Sequence, residues 1–225
     1  MIKLNREQMA WRVARDIPNG ALVNLGLGIP VLVSNHLPDG CNVMLQSENG
    51  VVGVGPIASE DQADADLVDA GSRRITLAPG ASIVDSVSSF AMIRGGHIDI
   101  TVLGAFEVAS NGDLANWNSK VPDKGPLVGG AMDLAVCSKQ TWAVMAHTTR
   151  QGAPRLLERC ELPLTGKQCV TRVYTDLAVV HVTEQGFEVH AMLDGISRDN
   201  LCDLTGAPLH FADGLETFRA PELPG

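Results

Sequence analysis

The chain has 225 residues, of which 45% are hydrophobic and 19% charged, with 23 glycines and a formal net charge of −9. That length fits one large domain better than two, and the hydrophobic share supports a sizeable core. The acidic balance excludes a nucleic-acid surface built on clustered lysine and arginine, and it gives no long-range attraction to a phosphate-rich ligand.

Met9, Ala10, Val13, Ala14 and Ile17 recur at helical spacing and Asn5 is placed to cap them, which predicts an amphipathic helix over 6–17. Pro18, Asn19 and Gly20 end it. The short apolar run 21–25 predicts a buried strand, 26–30 a turn, 31–36 a second helix and 43–46 the next strand. A glycine-rich loop is expected over 50–56, and the acidic stretch 59–69 is expected to be a solvated loop. Further strands are predicted at 74–77, 98–104, 132–136, 141–146, 172–182 and 186–192, with a helix over 85–93. Residues 211–225 read as a loosely held C-terminal tail, which leaves one domain over 1–210. Strands alternating with short helices and glycine-rich turns predict an open, mostly parallel α/β sheet with flanking helices, binding ligands at the carboxyl ends of its strands.

Cys41, Cys137, Cys160, Cys169 and Cys202 form no CxxC pair and read as reduced thiols. No stretch approaches the roughly 20 apolar residues of a membrane span, so the expectation is a cytoplasmic protein without membrane or nucleic-acid partners. The six histidines show no HxxxH or HExxH spacing, so no metal is expected, and the absence of a GxSxG elbow disfavours a serine thioesterase.

Two segments can carry chemistry: Asn24-Leu25-Gly26-Leu27-Gly28-Ile29-Pro30 and Gln46-Ser47-Glu48-Asn49-Gly50. A dinucleotide fingerprint would use Gly26 and Gly28 with Glu48 on a ribose, but its third glycine falls on Val31, so that reading fails. On a purely structural reading, Asn49-Gly50 is a hairpin turn and Glu48 merely precedes it. On a functional reading, Glu48 is a carboxylate at the end of a buried strand, able to act as a nucleophile on an activated acyl group. Such chemistry needs oxyanion donors, for which the backbone N–H groups at Gly26 and Gly28 are candidates, and it needs water excluded.

The ordered set of motifs goes further. Leu45-Gln46-Ser47-Glu48-Asn49-Gly50, Pro79-Gly80-Ala81, the run Phe90 to Asp99, Val102 to Phe106, Leu114-Ala115-Asn116-Trp117, Gly129-Gly130-Ala131-Met132-Asp133, Pro163-Leu164-Thr165 and Thr175-Asp176-Leu177-Ala178 follow the Asn24 segment. From about Asn5 to Pro208 the chain resembles the β subunit of the class I coenzyme A transferases of the 3-oxoacid and 3-oxoadipate group. The resemblance implies a covalent glutamyl-CoA thioester on Glu48 and ping-pong transfer, with succinyl-CoA as the usual donor and a 3-oxoacid as acceptor. It implies CoA as substrate with no permanently bound cofactor. It also implies a separate α subunit, in a heterodimer or heterotetramer.

Gly26, Gly28, Asn49, Gly129 and Gly130 are expected around the oxyanion and CoA, and Asn116 in the substrate pocket. Arg94 is read as a structural ion-pairing residue and His97 as a turn residue. The length of 118–128 resembles the 3-oxoadipate type and Ser82 to Asp85 the acetoacetate type; the balance leans slightly to 3-oxoadipate. The competing reading is a non-catalytic nucleotide or sugar-phosphate binding module on a related α/β scaffold, which would have no use for a nucleophilic Glu48.

Overall fold

The computed structural model describes residues 3–120 and 125–223. Positions 121–124 of the predicted loop over 118–128, and the last two positions of the expected tail, lie outside the described residues. Helix α1 (Arg6–Ala14) opens with a capping box: the Asn5 side chain accepts from the Gln8 N–H, and the Gln8 side chain accepts from the Asn5 N–H. It buries Met9, Ala10, Val13 and Ala14, as the helical spacing predicts.

Strand β1 (Leu22–Leu25) leads through a turn into the short helix α2 (Ile29–Leu32), which tightens to a 3₁₀ turn over Val33–His36. Strands β2 (Met44–Ser47), β3 (Val51–Ile57) and β4 (Ile75–Ile83) follow. Next come helix α3 (Ser86–Arg94), capped by the Asp85 carboxylate on the Ser88 N–H, and strand β5 (Ile100–Gly104). Two short strands, β6 (Glu107–Ala109) and β7 (Leu114–Ala115), precede helix α4 (Ala131–Cys137) and strand β8 (Gln140–Val144). The chain continues through β9 (Leu156–Leu157), β10 (Val170–Tyr174), β11 (Ala178–Thr183), β12 (Gly186–Leu193), α5 (Arg198–Asp203) and β13 (Leu209–Phe218).

The main sheet runs β13-β12-β11-β10-β8-β5-β1-β2-β3-β4. Its centre, from β10 to β2, is parallel, and antiparallel pairings extend it at both sides. A small sheet of β7, β6 and β9 stands beside it. One apolar layer joins α1 to Val23, Ile100, Val102 and Trp142; the other joins Ile93, Leu103, Leu134 and Ala143. This is the open, mostly parallel α/β sheet with flanking helices expected from the sequence.

Four local expectations fail, each for a physical reason. Residues 132–136 form helix α4, not a strand; Leu134 and Ala135 are buried while Met132 and Val136, four residues apart, are exposed, which is a helical period. The single strand expected at 172–182 is the hairpin β10–β11, because the Thr175 hydroxyl accepts from the Leu177 and Ala178 N–H groups and turns the chain. The glycine-rich loop 50–56 is strand β3. Gly53, at φ +91, lets the backbone approach Ala81 so closely that a Cβ would stand 2.8 Å from the Ala81 Cβ.

The expected loose tail is, as far as Phe218, the ten-residue edge strand β13, parallel to β12. Leu209, Phe211 and Leu215 pack on one core layer and Phe218 on the other. Full burial of such a side chain contributes about 1.5–3 kcal/mol, and these four, partly buried, each contribute a fraction of that. A chain ending at Pro208 therefore unfolds at a temperature at least about 5 °C below the intact chain. Thermal unfolding followed by circular dichroism checks this, and equal melting temperatures would return these residues to the status of a tail.

Candidate active site

Parallel pairing of β1 with β2 sets Leu22 opposite Met44, Val23 opposite Leu45 and Asn24 opposite Gln46. Because side chains alternate along a strand, Asn24, Gln46 and Glu48 project from one face, toward helix α3. Both polar strand residues are buried, at 1% and 3% exposure. They form a chain: Asn24 Nδ2 donates to Gln46 Oε1 at 2.6 Å, and Gln46 Nε2 reaches the Ser89 hydroxyl on α3 at 2.9 Å. Asn24 Oδ1 is buried with no partner among the described residues.

Glu48 follows at once, in the turn between β2 and β3. Gly50 closes that turn at φ +127, beneath the Val84 carbonyl, where a Cβ would overlap the oxygen. The end of the acidic stretch braces it from outside. Asn49 Nδ2 donates to the Val68 carbonyl at 2.8 Å, and the Ala70 N–H donates to the Ser47 hydroxyl at 2.8 Å. Asp69, expected to be solvated with the rest of the acidic run, is instead 7% exposed and paired with Arg73.

The turn delivers the Glu48 side chain into a cleft of about 690 Å³ at the carboxyl ends of β1, β2, β5 and β8. Much of the lining is apolar, with Leu25, Leu27, Leu103, Phe106, Val144 and Met145 among it. The carboxylate lies against Gly130, where a Cβ would stand 3.0 Å from Glu48 Oε1 and 3.1 Å from Phe90. Burial pushes the Glu48 pKa above the ordinary carboxylate value, while the Gly130 backbone N–H and the Asn24 amide pull it back.

The sequence-selected residues divide. Glu48, Gly26, Gly28, Gly129, Gly130 and Asn116 line the cleft together. Asn49 does not; it faces outward and its amide serves the turn. The Gly26 N–H is already donated to the Val102 carbonyl at 2.8 Å, so it is unavailable to an oxyanion. Its lack of a side chain lets the turn pack against Leu103, 3.1 Å from where a Cβ would stand. The N–H groups of Leu27 and Gly28 find no acceptor among the described residues, and Gly28, at φ +92, is where the turn enters α2. Gly129 has open space around it. The Asn116 amide is committed on both sides, donating to the Gly104 carbonyl and accepting from the Thr165 hydroxyl. Trp117 donates to the Leu164 carbonyl. Arg94 pairs with Asp133 at 2.8 Å on the surface between α3 and α4, and His97 is exposed at the turn after α3.

Sequence reasoning assigns no role to Asn24, Gln46, Arg6 or Arg155, which also belong to the site or its support. For the first two a signal exists: a polar side chain at an inward position of a buried strand. Among the described residues no group of three or more His, Cys, Asp or Glu side chains is placed to hold a metal ion.

The family described as Coenzyme A transferase matches residues 6–203. The sequence is 46% identical over 207 residues to one subunit of the 3-oxoadipate CoA-transferase of Acinetobacter baylyi, covering 92% of this chain and 95% of that one. It is 45% identical over 203 residues to the corresponding subunit of the succinyl-CoA:3-ketoacid coenzyme A transferase of Helicobacter pylori, covering 90% and 97%. The fold matches a crystal structure of an acyl-CoA transferase from Escherichia coli O157:H7 with a TM-score of 0.74 at 19% identity. That match covers 96% of this chain and 43% of the larger one.

The raised pKa of Glu48 makes a stability prediction. Below the ordinary carboxylate value Glu48 is protonated in both folded and unfolded chains and costs nothing. As pH rises through that value toward the higher folded one, the unfolded chain ionises first and folding loses free energy. Glu48→Gln therefore raises the melting temperature at pH 7 more than at pH 4. Paired thermal melts at the two pH values measure it; an equal or larger gain at pH 4 would contradict a burial-stressed carboxylate.

Proposed function

This chain belongs to the coenzyme A transferase family, and we propose that it is the β subunit of an enzyme that moves CoA between carboxylic acids through a thioester on Glu48. The observation that carries this reading is the Glu48 carboxylate held in a largely apolar cleft at the carboxyl ends of the parallel strands, beside backbone N–H donors.

Glu48 attacks the carbonyl of the donor acyl-CoA; the carbon–sulfur bond breaks and CoA leaves as thiolate, giving a mixed anhydride. The thiolate attacks the glutamyl carbonyl, the donor acid leaves as carboxylate, and CoA is now carried on Glu48. An incoming carboxylate reverses the two steps. No proton is transferred and no redox change occurs, so the chain needs no general base. Each tetrahedral intermediate develops an oxyanion; the free N–H groups of Leu27 and Gly28 are available donors for it, and the Gly130 N–H, already on the Glu48 carboxylate, would serve the oxyanion formed at the glutamyl carbonyl. Partial desolvation raises the basicity of Glu48 and with it its nucleophilicity. The apolar walls limit the water that would hydrolyse either intermediate.

The donor in this reading is succinyl-CoA and the acceptor a 3-oxoacid, 3-oxoadipate ahead of acetoacetate. The names of the relatives include both kinds of acceptor. A separate α subunit completes the enzyme, in keeping with the names of those relatives, each of which is one subunit of a larger transferase. The five free cysteines favour a reducing compartment, the cytoplasm.

With the α subunit co-expressed, incubation with succinyl-CoA adds CoA to the peptide containing Glu48, and mass spectrometry reads it. Glu48→Asp withdraws the carboxylate by about 1 Å and lowers turnover by about 10²-fold. The isolated chain has negligible activity until the α subunit is added. An unmodified Glu48 in the complete, active enzyme would sink the covalent mechanism.

A further inference from the structure

Arg155 is the feature of the cleft that the chemistry above leaves unused. Its backbone is pinned on both sides: the N–H donates to the His147 carbonyl at 3.1 Å, and its carbonyl accepts from the Val108 N–H at 3.0 Å. The residue therefore sits at a fixed place beside Met145 and Ala146, on the cleft wall formed by the chain leaving β8. Its side chain is half-buried, yet among the described residues it makes neither an ion pair nor a hydrogen bond.

Among the described residues, the acids that act on it also hold other partners. Asp176 accepts from the His147 N–H at 2.6 Å and pairs with Lys3 at 3.5 Å. One oxygen of Glu107 accepts from the Glu161 and Leu162 N–H groups at 2.8 and 2.9 Å. Burial depresses the Arg155 pKa despite the pull of both carboxylates. The remaining charged groups of the cleft differ: Asp69 is paired with Arg73, and Arg6 is exposed at the rim, near Gly28. A guanidinium half-removed from water is costly unless an anion joins it, and it suits a carboxylate because its donors form a planar fork.

We propose that Arg155 binds the far carboxylate of a dicarboxylic acyl group, and so makes this enzyme selective for acids charged at both ends. The inference rests on the Glu48 reading and adds to it the residue that recognises the far end of the acyl group. When one end of such an acid reacts at Glu48, the other carries its charge into a largely apolar cleft of a protein whose net charge is −9. Without a cation there, that charge would be desolvated and unpaired. A monocarboxylic acyl group asks for no such partner.

The test uses the co-expressed two-subunit enzyme in single turnovers, with CoA bound to Glu48 as the readout. Succinyl-CoA supplies an acyl group with a charged far end and acetoacetyl-CoA one without. The ratio of the two rates is compared in the parent enzyme, R155Q and R155K. Loss of a charge-assisted contact is expected to lower the succinyl-to-acetoacetyl ratio by about 10²-fold in R155Q. R155K keeps the charge without the fork and is expected to lose about 10-fold or less. An unchanged ratio in both variants would overturn the proposal. So would equal slowing with both thioesters, the result if Arg155 held a CoA phosphate or served only the fold. No adduct from either thioester in the active parent enzyme would instead overturn the Glu48 reading, and this inference with it.

Discussion

The close approach of the Glu48 carboxylate to the backbone at Gly130 is the contact around which the site is built. Two segments more than 80 positions apart must meet there, and neither can carry extra atoms. A side chain at Gly130 would be driven between the carboxylate and Phe90, and one at Gly50 into the Val84 carbonyl. The parallel pairing of β1 with β2 sets the height of Glu48 above the sheet. The turn sets its direction, and the brace from Val68 and Ala70 holds the turn. The acidic run that precedes that brace resembles solvated loop in composition, but its final member, Asp69, is a buried structural anchor.

Much of this is legible in the amino-acid sequence, and the failures have a common origin. Long periodic segments such as α1 declare themselves, down to the Asn5 cap, because their burial is one-sided and local. The run Ala131 to Cys137 does not, since a handful of small apolar residues satisfies either a strand or a helix until the neighbouring surface is known. Strand β3 is hidden by its glycines, whose purpose is visible only across the sheet at Ala81 and Thr76. Strand β13 is hidden by its polar neighbours, because an edge strand needs apolar contact for only some of its residues. Among site residues, Glu48 stands out by motif order, whereas Arg155 carries no motif at all. Its standing comes from its place in the cleft without a partner among the described residues, which no sequence pattern announces.

The electrostatics of the cleft follow from the same geometry. An acidic protein cannot attract anionic substrates through its net field, so any attraction has to be local. Desolvation acts on two charged groups of the cleft in complementary ways. It raises the proton affinity of Glu48, which would sharpen the proposed nucleophile, and it depresses that of Arg155. Other polar groups lining the cleft are largely committed: the Asn116 amide is bound on both sides, and Asp69 holds Arg73.

The hairpin reading of Asn49-Gly50 and the proposed nucleophile reading of Glu48 are alternatives on sequence alone, and the geometry makes them compatible. Residues 48–50 do form a turn, antiparallel strands do leave it, and the Asn49 amide helps hold it. A turn residue is ordinarily solvated, and a solvated glutamate is a weak, well-hydrated nucleophile. Here the turn is closed at the carboxyl end of a parallel sheet and covered by the start of α4, so its first residue points inward and loses water. The parallel centre of the sheet thus creates the crevice, and the switch to antiparallel pairing at β3 places the carboxylate in it. Local turn chemistry determines that residue 48 projects from the strand end; only the order of the strands determines that it projects into a cleft.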